Sequence, residues 1–440
     1  MARRAKLPQY PVRAGIDSLS HDGRGVARVD GKVVFVDGAL PGESVEIVYT
    51  GARRRHDEAR VHAVLTPSPD RVQARCAHFG VCGGCALQHL APAAQLQAKQ
   101  RVLFDNLERL GGVVAARRLA PVTGPVWGYR HKARLGVKHV DKKGRVLVGF
   151  RERSKPYVAD LHNCPVLHPD FGERLDAFAA LVSSLSIVRQ LPQIEVARGD
   201  EFATLILRVL EAPDADDLAR LEAFAREHDF DLYLQPAGPD SVRPLGEARP
   251  MRYALDDGAL QIEFEPGDFT QVNPQTNRAM VAQALELLRP TAGDDILDLF
   301  CGLGNFTLPV ARRAGSVTGV EGDAALVARA RSNASANAIS NAQFHTADLF
   351  EDVSREPWFG PGYSGLIIDP PRSGAQWICE HMDRLAPQRI VYVSCYPATL
   401  ARDAGILAGH GYRLDAAGVV DMFPHTAHVE AMALFRRDGH

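Results

Sequence analysis

The chain has 440 residues, 46% apolar and 24% charged, and its 51 Lys+Arg against 53 Asp+Glu leave a net charge of −2. That length exceeds a single core and predicts two or three domains, and the near-neutral balance leaves any nucleic-acid contact to a local basic face. No stretch approaches the roughly 18 apolar residues of a membrane span, no apolar run of signal length follows the basic Met1–Tyr10 segment, and seven cysteines without a secretion signal argue against a disulfide framework; a cytoplasmic protein is expected.

Residues 1–66 read as a small all-β unit. Val33-Val34-Phe35-Val36 and Val45-Glu46-Ile47-Val48 are punctuated by Asp22-Gly23, Asp30-Gly31, Asp37-Gly38 and Pro41-Gly42, turn chemistry at the spacing of a small barrel. Gly23-x-Gly25 and the run from Gly31 through Glu43 resemble the TRAM domain, an RNA-binding OB-like barrel. Arg53-Arg54-Arg55 is either an extension of a phosphate-binding surface or a solvated basic turn.

Residues 67–267 form a central α+β region that opens at Pro67 and Pro69. An amphipathic helix is predicted over 91–110, with the periodicity of a segment that packs on another domain. Two strands follow near Glu195–Ala197 and Ala203–Val209, then a helix near 214–228. Between Arg130 and Lys155 lie ten Lys/Arg and two acids, the composition of an RNA-facing surface or of an ordinary solvated hairpin. Cys76-x5-Cys82-x2-Cys85, with Cys164-Pro165 downstream, offers four thiolates for a metal. Three clustered cysteines plus one before proline favour an iron–sulfur cluster over zinc, which usually takes two short knuckles. His78, His89 and His162 are expected at the surface.

From 268 to 440 the pattern becomes strand–turn–helix, with strands at Asp295–Phe300, Ser316–Val320, Gly365–Asp369 and Arg389–Ser394. Such alternation implies a doubly wound, Rossmann-like parallel sheet. Asp298-Leu-Phe300-Cys-Gly302-Leu-Gly304-Asn305 follows a strand and opens a helix, where glycines let the backbone approach a ligand. The third glycine of a dinucleotide fingerprint is replaced by Thr307, and the acidic Glu321 ends the next strand, where a ribose diol needs an acceptor. A ligand with a ribose and no pyrophosphate fits better than NAD, and S-adenosylmethionine is such a ligand. Asp348 suits the adenine side. Asp369-Pro370-Pro371-Arg372 is a carboxylate on a rigid loop, able to accept hydrogen bonds from a planar N–H partner.

Ser394-Cys395-Tyr396-Pro397 puts a thiol at the carboxyl end of a strand, the edge where ligands of such sheets bind. A buried small hydrophobe is the ordinary alternative. Methylation of uracil at C5 needs a thiolate at C6, a base for the C5 proton and a methyl donor. Three residues compete as base: Glu430, His425 and His428, the last two on pKa grounds.

Phe269-x-Gln271-Val272-Asn273, Asp298–Phe306, Asp369-Pro-Pro-Arg372, Ser394-Cys395-x-Pro397-x-Thr399-Leu400-x-Arg402-Asp403 and His425-Thr-x-His428-Val-Glu430 together resemble the RNA uracil-C5 methyltransferases over nearly the whole chain. Barrel and cysteine cluster narrow the likeness to the RumA/RlmD family acting on 23S ribosomal RNA at a uridine-1939 type site. The resemblance implies Cys395 as nucleophile and Glu430 as general base. It implies Gln271, Phe300, Asn305, Glu321, Asp348 and Asp369 around S-adenosyl-L-methionine and the target base. It also implies a structural [4Fe-4S] cluster on Cys76, Cys82, Cys85 and Cys164, 23S ribosomal RNA as partner, no membrane and no obligate protein partner. Other uracil-C5 targets (a transfer RNA or a second 23S site), an amino-methyltransferase and an inactive RNA-binding assembly factor are the competing readings; the cysteine and glutamate contexts count against the last two.

Overall fold

The computed structural model describes residues 7–437; residues 1–6 and 438–440, the outer ends of the first and last expected domains, lie outside the described part. The described chain forms two compact units that interleave in sequence. The first takes its residues up to Lys99, with Phe150–Ala159 and Phe423–His428; the second takes Gln100–Gly149, Asp160–Met422 and the chain from Val429 onward.

The first unit is built on a closed five-stranded barrel of Val12–Leu19, Gly25–Val29, Lys32–Asp37, Ser44–Ala52 and His56–Thr66. Alternating residues point inward, so Ala14, Ile16, Ala27, Val34, Val36, Val45, Ile47 and Ala59 fill its core, as the period of two requires. The expected turns fall between these strands, and Gly23, Gly31, Gly38 and Gly42 all have φ near +80°, a region that only glycine adopts freely. The loop after the barrel, residues 71–91, has little regular structure and carries the three clustered cysteines. Arg71 closes on the buried Glu43 with Nη2 at 2.8 Å and also donates to the Gly38 carbonyl.

Among the described residues the second unit holds two large sheets and the antiparallel pair Met251–Leu255 with Leu260–Phe264. In one, Arg243–Pro244, Phe230–Gln235, Ala203–Arg208, Gln193–Arg198, Lys132–Val140 and Arg145–Gly149 lie side by side. The basic run of the sequence supplies its hairpin, and six of the ten cations there have an acidic partner within hydrogen-bonding or ion-pair reach: Lys132, Arg134, Lys143, Arg145, Arg153 and Lys155. Much of this charge is therefore internally balanced.

The larger sheet runs Ala342–Thr346, Ser316–Glu321, Asp295–Leu299, Gly365–Ile368, Arg389–Ser394, Glu430–Arg437, Tyr412–Val420 and Arg117–Arg118. Its first five strands are parallel, as the alternation predicts, and the last long pair is antiparallel. The order reverses between Asp295–Leu299 and Gly365–Ile368, and doubly wound sheets open a ligand crevice at such a reversal, beyond the carboxyl ends of their strands. Helix Pro92–Arg109 begins in the first unit and ends in the second, where Leu103 and Leu107 are fully buried in the core of the larger sheet with Leu299, Ile368, Tyr392 and Leu400.

Candidate active site

Four adjacent strands deliver the predicted residues to one edge. Leu299 pairs with Ile368, so Phe300 and Asp369 leave neighbouring strands at the same level. Ser394 pairs with Ala431, which sets Cys395 beside Glu430 on the next two. Register therefore assembles the site, and a one-residue slip would turn each side chain to the opposite face.

The glycine loop after Leu299 is strained. Phe300 has φ +63°, and Gly302 and Gly304 have φ +52° and +91°. A non-glycine residue in the left-handed region costs about 1 kcal/mol or more and marks a constrained site. Phe300 packs partly on the sheet core and meets the exposed Phe350 with ring centroids 5.7 Å apart. Glu321 holds the loop: one carboxylate oxygen accepts from the Gly302 amide at 3.1 Å and the other from Asp323 N at 3.1 Å. Asp348 is exposed and caps its own turn through Phe350 N. Gln271 is half-buried on the loop before helix Pro274–Leu288.

Asn305 faces protein. Its Nδ2 donates to Asn277 Oδ1 at 3.0 Å, and its Oδ1 accepts from Asn277 Nδ2 at 2.9 Å and Tyr253 Oη at 3.2 Å. The side chain ties the glycine loop to a helix and to the Met251–Leu255 strand.

The edge that carries Cys395, Asp369 and Glu430 is acidic and poorly solvated. Burial pushes Asp369 up to about 7, and burial together with Asp369 pushes Glu430 up to about 8. Cys395 is pushed up to about 11, first by burial and then by the Glu430 and Asp369 carboxylates, against a lowering pull from Arg372. Cys395 also stands two residues before helix Pro397–Gly409, whose N-terminal dipole favours an anion. Such a pocket of acids suits a cationic ligand, and a sulfonium is one. Cys301 and Cys379 are buried thiols held well above their ordinary range by burial, which leaves Cys395 as the half-buried thiol of this edge. His425 and His428, the rival bases, belong to the first unit, where His425 Nδ1 meets Gln95 Nε2 at 3.2 Å.

Two supports were not visible in the sequence reading. Thr307, which stands where a dinucleotide fingerprint has its third glycine, donates its hydroxyl to Asp298, a fully buried carboxyl pushed up to about 7 mainly by burial. Asp403 accepts from Tyr392 Oη at 2.6 Å and from Ala375 N at 2.8 Å, and Arg402 donates to the Ser373 carbonyl at 2.8 Å. The motif's Arg402-Asp403 pair thus fastens the Asp369-Pro-Pro-Arg372 loop to the helix that follows Cys395. Its signal was present: Asp403 lies on the apolar stripe of that helix with Leu400, Ala404 and Leu407, and a carboxylate on a buried stripe needs partners.

The cysteine loop suits a cluster in its donor set. Cys76, Cys82, Cys85 and Cys164 are half-buried thiols, the first three in the first unit and Cys164 in the second. Gly84 N already points at Cys82 Sγ, 3.3 Å away, the kind of N–H···S contact that tunes cluster sulfurs. A side chain at Gly84 would press on Phe150 and Cys82 Sγ, so the turn is closely fitted around the sulfur. Among the described residues no three His, Cys, Asp or Glu side chains group closely enough to hold a metal ion. His162 is exposed and His78 half-buried, but His89, expected at the surface, is buried. Burial, aided by Arg71, lowers it to about 4, and neither ring nitrogen has a partner among the described residues.

Comparison with known proteins agrees with this geometry. Residues 251–354 and 362–438 match the tRNA (Uracil-5-)-methyltransferase family, and residues 12–60 match the TRAM domain. A 23S rRNA (uracil(1939)-C(5))-methyltransferase of Alkalilimnicola ehrlichii is 54% identical, covering 99% of this chain and 99% of its own length. One from Methylococcus capsulatus is 52% identical with the same coverage of both chains. The crystal structure of the Pyrococcus abyssi tRNA (uracil-54, C5)-methyltransferase in complex with S-adenosyl-L-homocysteine superposes with a TM-score of 0.72 at 27% identity, over 96% of this chain and 99% of that one. Sequence and fold agree: the chain belongs to the 23S rRNA (uracil(1939)-C(5))-methyltransferase family, with an N-terminal TRAM domain.

Proposed function

We propose that this chain transfers a methyl group from S-adenosyl-L-methionine to C5 of one uridine of 23S ribosomal RNA, the uridine-1939 type site of its relatives. The observation that carries the reading is the strand register that sets Cys395 beside Glu430 at the edge bearing the Phe300–Gly304 loop.

The donor supplies an electrophilic methyl carbon on a sulfonium. Uracil C5 is a poor nucleophile, so Cys395 acts first. Its thiolate adds to C6, and the electron pair of the C5–C6 bond moves toward O4 to give an enolate that attacks the methyl carbon through C5, while the methyl–sulfur bond breaks and the thioether S-adenosylhomocysteine leaves. Glu430 then takes the C5 proton, the C5–C6 double bond re-forms and the thiolate leaves. Both residues must be unprotonated at their turn, and both are held protonated at neutral pH, Glu430 by burial and the Asp369 carboxylate, Cys395 by burial and the Glu430 and Asp369 carboxylates. A cationic ligand against Asp369 and Glu430 lowers all three pKa values, which couples cofactor occupancy to thiolate formation.

Gln271, Phe300, Asn305, Glu321, Asp348 and Asp369 are the residues we assign to the cofactor and base pocket, Asn305 through the loop it braces. A uridine inside folded RNA must be extruded to reach this edge. Cys76, Cys82, Cys85 and Cys164 are assigned to a [4Fe-4S] cluster with a structural role; the methyl transfer described needs no electron. The four thiols, the N–H aimed at Cys82 and the fitted glycine turn support that assignment. Among the described residues no helix is long and apolar enough to cross a membrane, and a cytoplasmic site of action follows from the RNA substrate. Glu430→Gln incubated with 23S RNA and S-adenosylmethionine tests the mechanism. A protein–RNA adduct that survives denaturation is expected, and normal turnover without adduct would remove Glu430 from its role.

A further inference from the structure

Residues 265–273 join the strand Leu260–Phe264 to helix Pro274–Leu288 and carry both Phe269 and Gln271. The segment has no regular structure, yet it is fastened on several sides. Lys132, at the head of the strand Lys132–Val140, donates to the carbonyl of Pro266 at 2.8 Å and to that of Asp268. Its neighbour His131 donates its backbone N–H to the Val272 carbonyl at 2.8 Å. Arg329 pairs with one oxygen of the Asp268 carboxylate, while the other accepts from Glu265 N at 2.8 Å. Asn273 caps the helix through Thr276 N at 3.2 Å. Between the fastenings at Asp268 and Val272, Phe269 is 71% exposed. The exposed aromatic side chain thus stands on backbone that is fastened on both sides.

The Lys132 side chain is only 13% exposed. Burying an ammonium is unfavourable unless it is paired and hydrogen-bonded; here two carbonyls and Glu195, 3.7 Å away, meet that demand. Lysine has no role in the chemistry above. Its donors go to the backbone of the loop, on both sides of Gly267.

We propose that Lys132 is a positioning residue for the methyl transfer, its ammonium fixing through the Pro266 and Asp268 carbonyls where Phe269 and Gln271 stand at the active edge. The proposal rests on the assignment of Gln271 to the cofactor pocket, and the variants below separate the two. Lys132→Met is a fair test because it orphans no carboxylate: Glu195 keeps Arg134 at 2.8 Å and Asp268 keeps Arg329.

The experiment compares the wild-type chain with Lys132→Met, Lys132→Arg and Gln271→Ala. It reads hydrogen exchange over residues 266–272, chymotryptic cleavage after Phe269, S-adenosylhomocysteine affinity by calorimetry, and kcat and KM on 23S RNA. Lys132→Met should exchange and be cut at least about tenfold faster, equivalent to about 1.4 kcal/mol of lost local stability. Its kcat should fall about 10–100-fold, the cost of displacing a positioned group by about 1 Å, with a smaller change in KM. Lys132→Arg should recover most of both, since a guanidinium also presents two N–H donors. Unchanged exchange and cleavage in Lys132→Met would overturn the proposal, and so would a loosened loop with full kcat. Gln271→Ala that binds S-adenosylhomocysteine normally, beside a Lys132→Met that is loosened and slow, would overturn only the assignment of Gln271.

Discussion

At Glu430, burial and the Asp369 carboxylate push the proton affinity up to about 8, and the same two carboxylates help push Cys395 up to about 11. Both groups act only after losing a proton, so kcat/KM on RNA should rise with pH through about 8, where the general base ionises; a profile flat from pH 6 to 9 would contradict this. Replacing Glu430 by Gln removes an anion beside the thiol, which lowers the Cys395 pKa and enlarges its thiolate fraction. Iodoacetamide should therefore alkylate Cys395 faster in Glu430→Gln than in the wild type at pH 8, read by peptide mass spectrometry; slower labelling would show that the two side chains do not interact. Cys395→Ala should abolish methylation and adduct alike. The residue we assign as nucleophile was legible as a thiol at a strand end. The sequence left Glu430, His425 and His428, within six residues, as rival bases, and strand register places Glu430 beside Cys395.

The loop Asp369–Ala375 shows how an element is held in place for chemistry. Gly374 has φ +76°, and a Cβ there would lie 2.6 Å from Arg402 Nη2 and 2.6 Å from Asp403 Oδ2. Gly374→Ala adds both left-handed strain of about 1–2 kcal/mol and a collision with the two side chains that fasten the loop. Its kcat should drop about 10–100-fold, with a lower Tm and a retained fold by circular dichroism; wild-type kcat would show that the fastening is dispensable. The parallel strands and the crossover helices of this half were readable from period and length. The two-residue strand Arg117–Arg118 and the antiparallel pairing of Tyr412–Val420 with the last strand were not, because pairing partners so distant in sequence leave no local pattern. For the same reason linkers and breakers divide the chain linearly, whereas Phe150–Ala159 and Phe423–His428 fold with the first unit. Asn305 is the same lesson in one side chain: the motif points to the pocket, and the amide braces the loop through Asn277 and Tyr253.

At the scale of the molecule, three buried acids tie stability to pH. Asp298 and Asp369 are pushed up to about 7 and Glu430 to about 8, all above their unfolded values near 4. Groups with raised folded pKa contribute stability that is complete below the unfolded pKa and lost as pH rises through the folded one. The ligand-free protein should thus lose Tm as pH rises from about 4, the unfolded pKa, to about 8, the highest folded one. Glu430→Gln, which cannot ionise, should flatten that slope; an unchanged slope would contradict the burial of an ionisable Glu430. The cysteine assignment makes a second global prediction. Anaerobically purified protein should be brown and contain iron and acid-labile sulfide in equal amounts, and Cys82→Ser should lose both; colourless protein with one bound zinc would contradict it.

The most direct test of the central claim is transfer of labelled methyl from S-adenosylmethionine to 23S RNA, 16S RNA and transfer RNA side by side, followed by digestion to nucleosides. The account predicts 5-methyluridine from 23S RNA alone. Label confined to transfer RNA, or label recovered in any nucleoside other than 5-methyluridine, would contradict it.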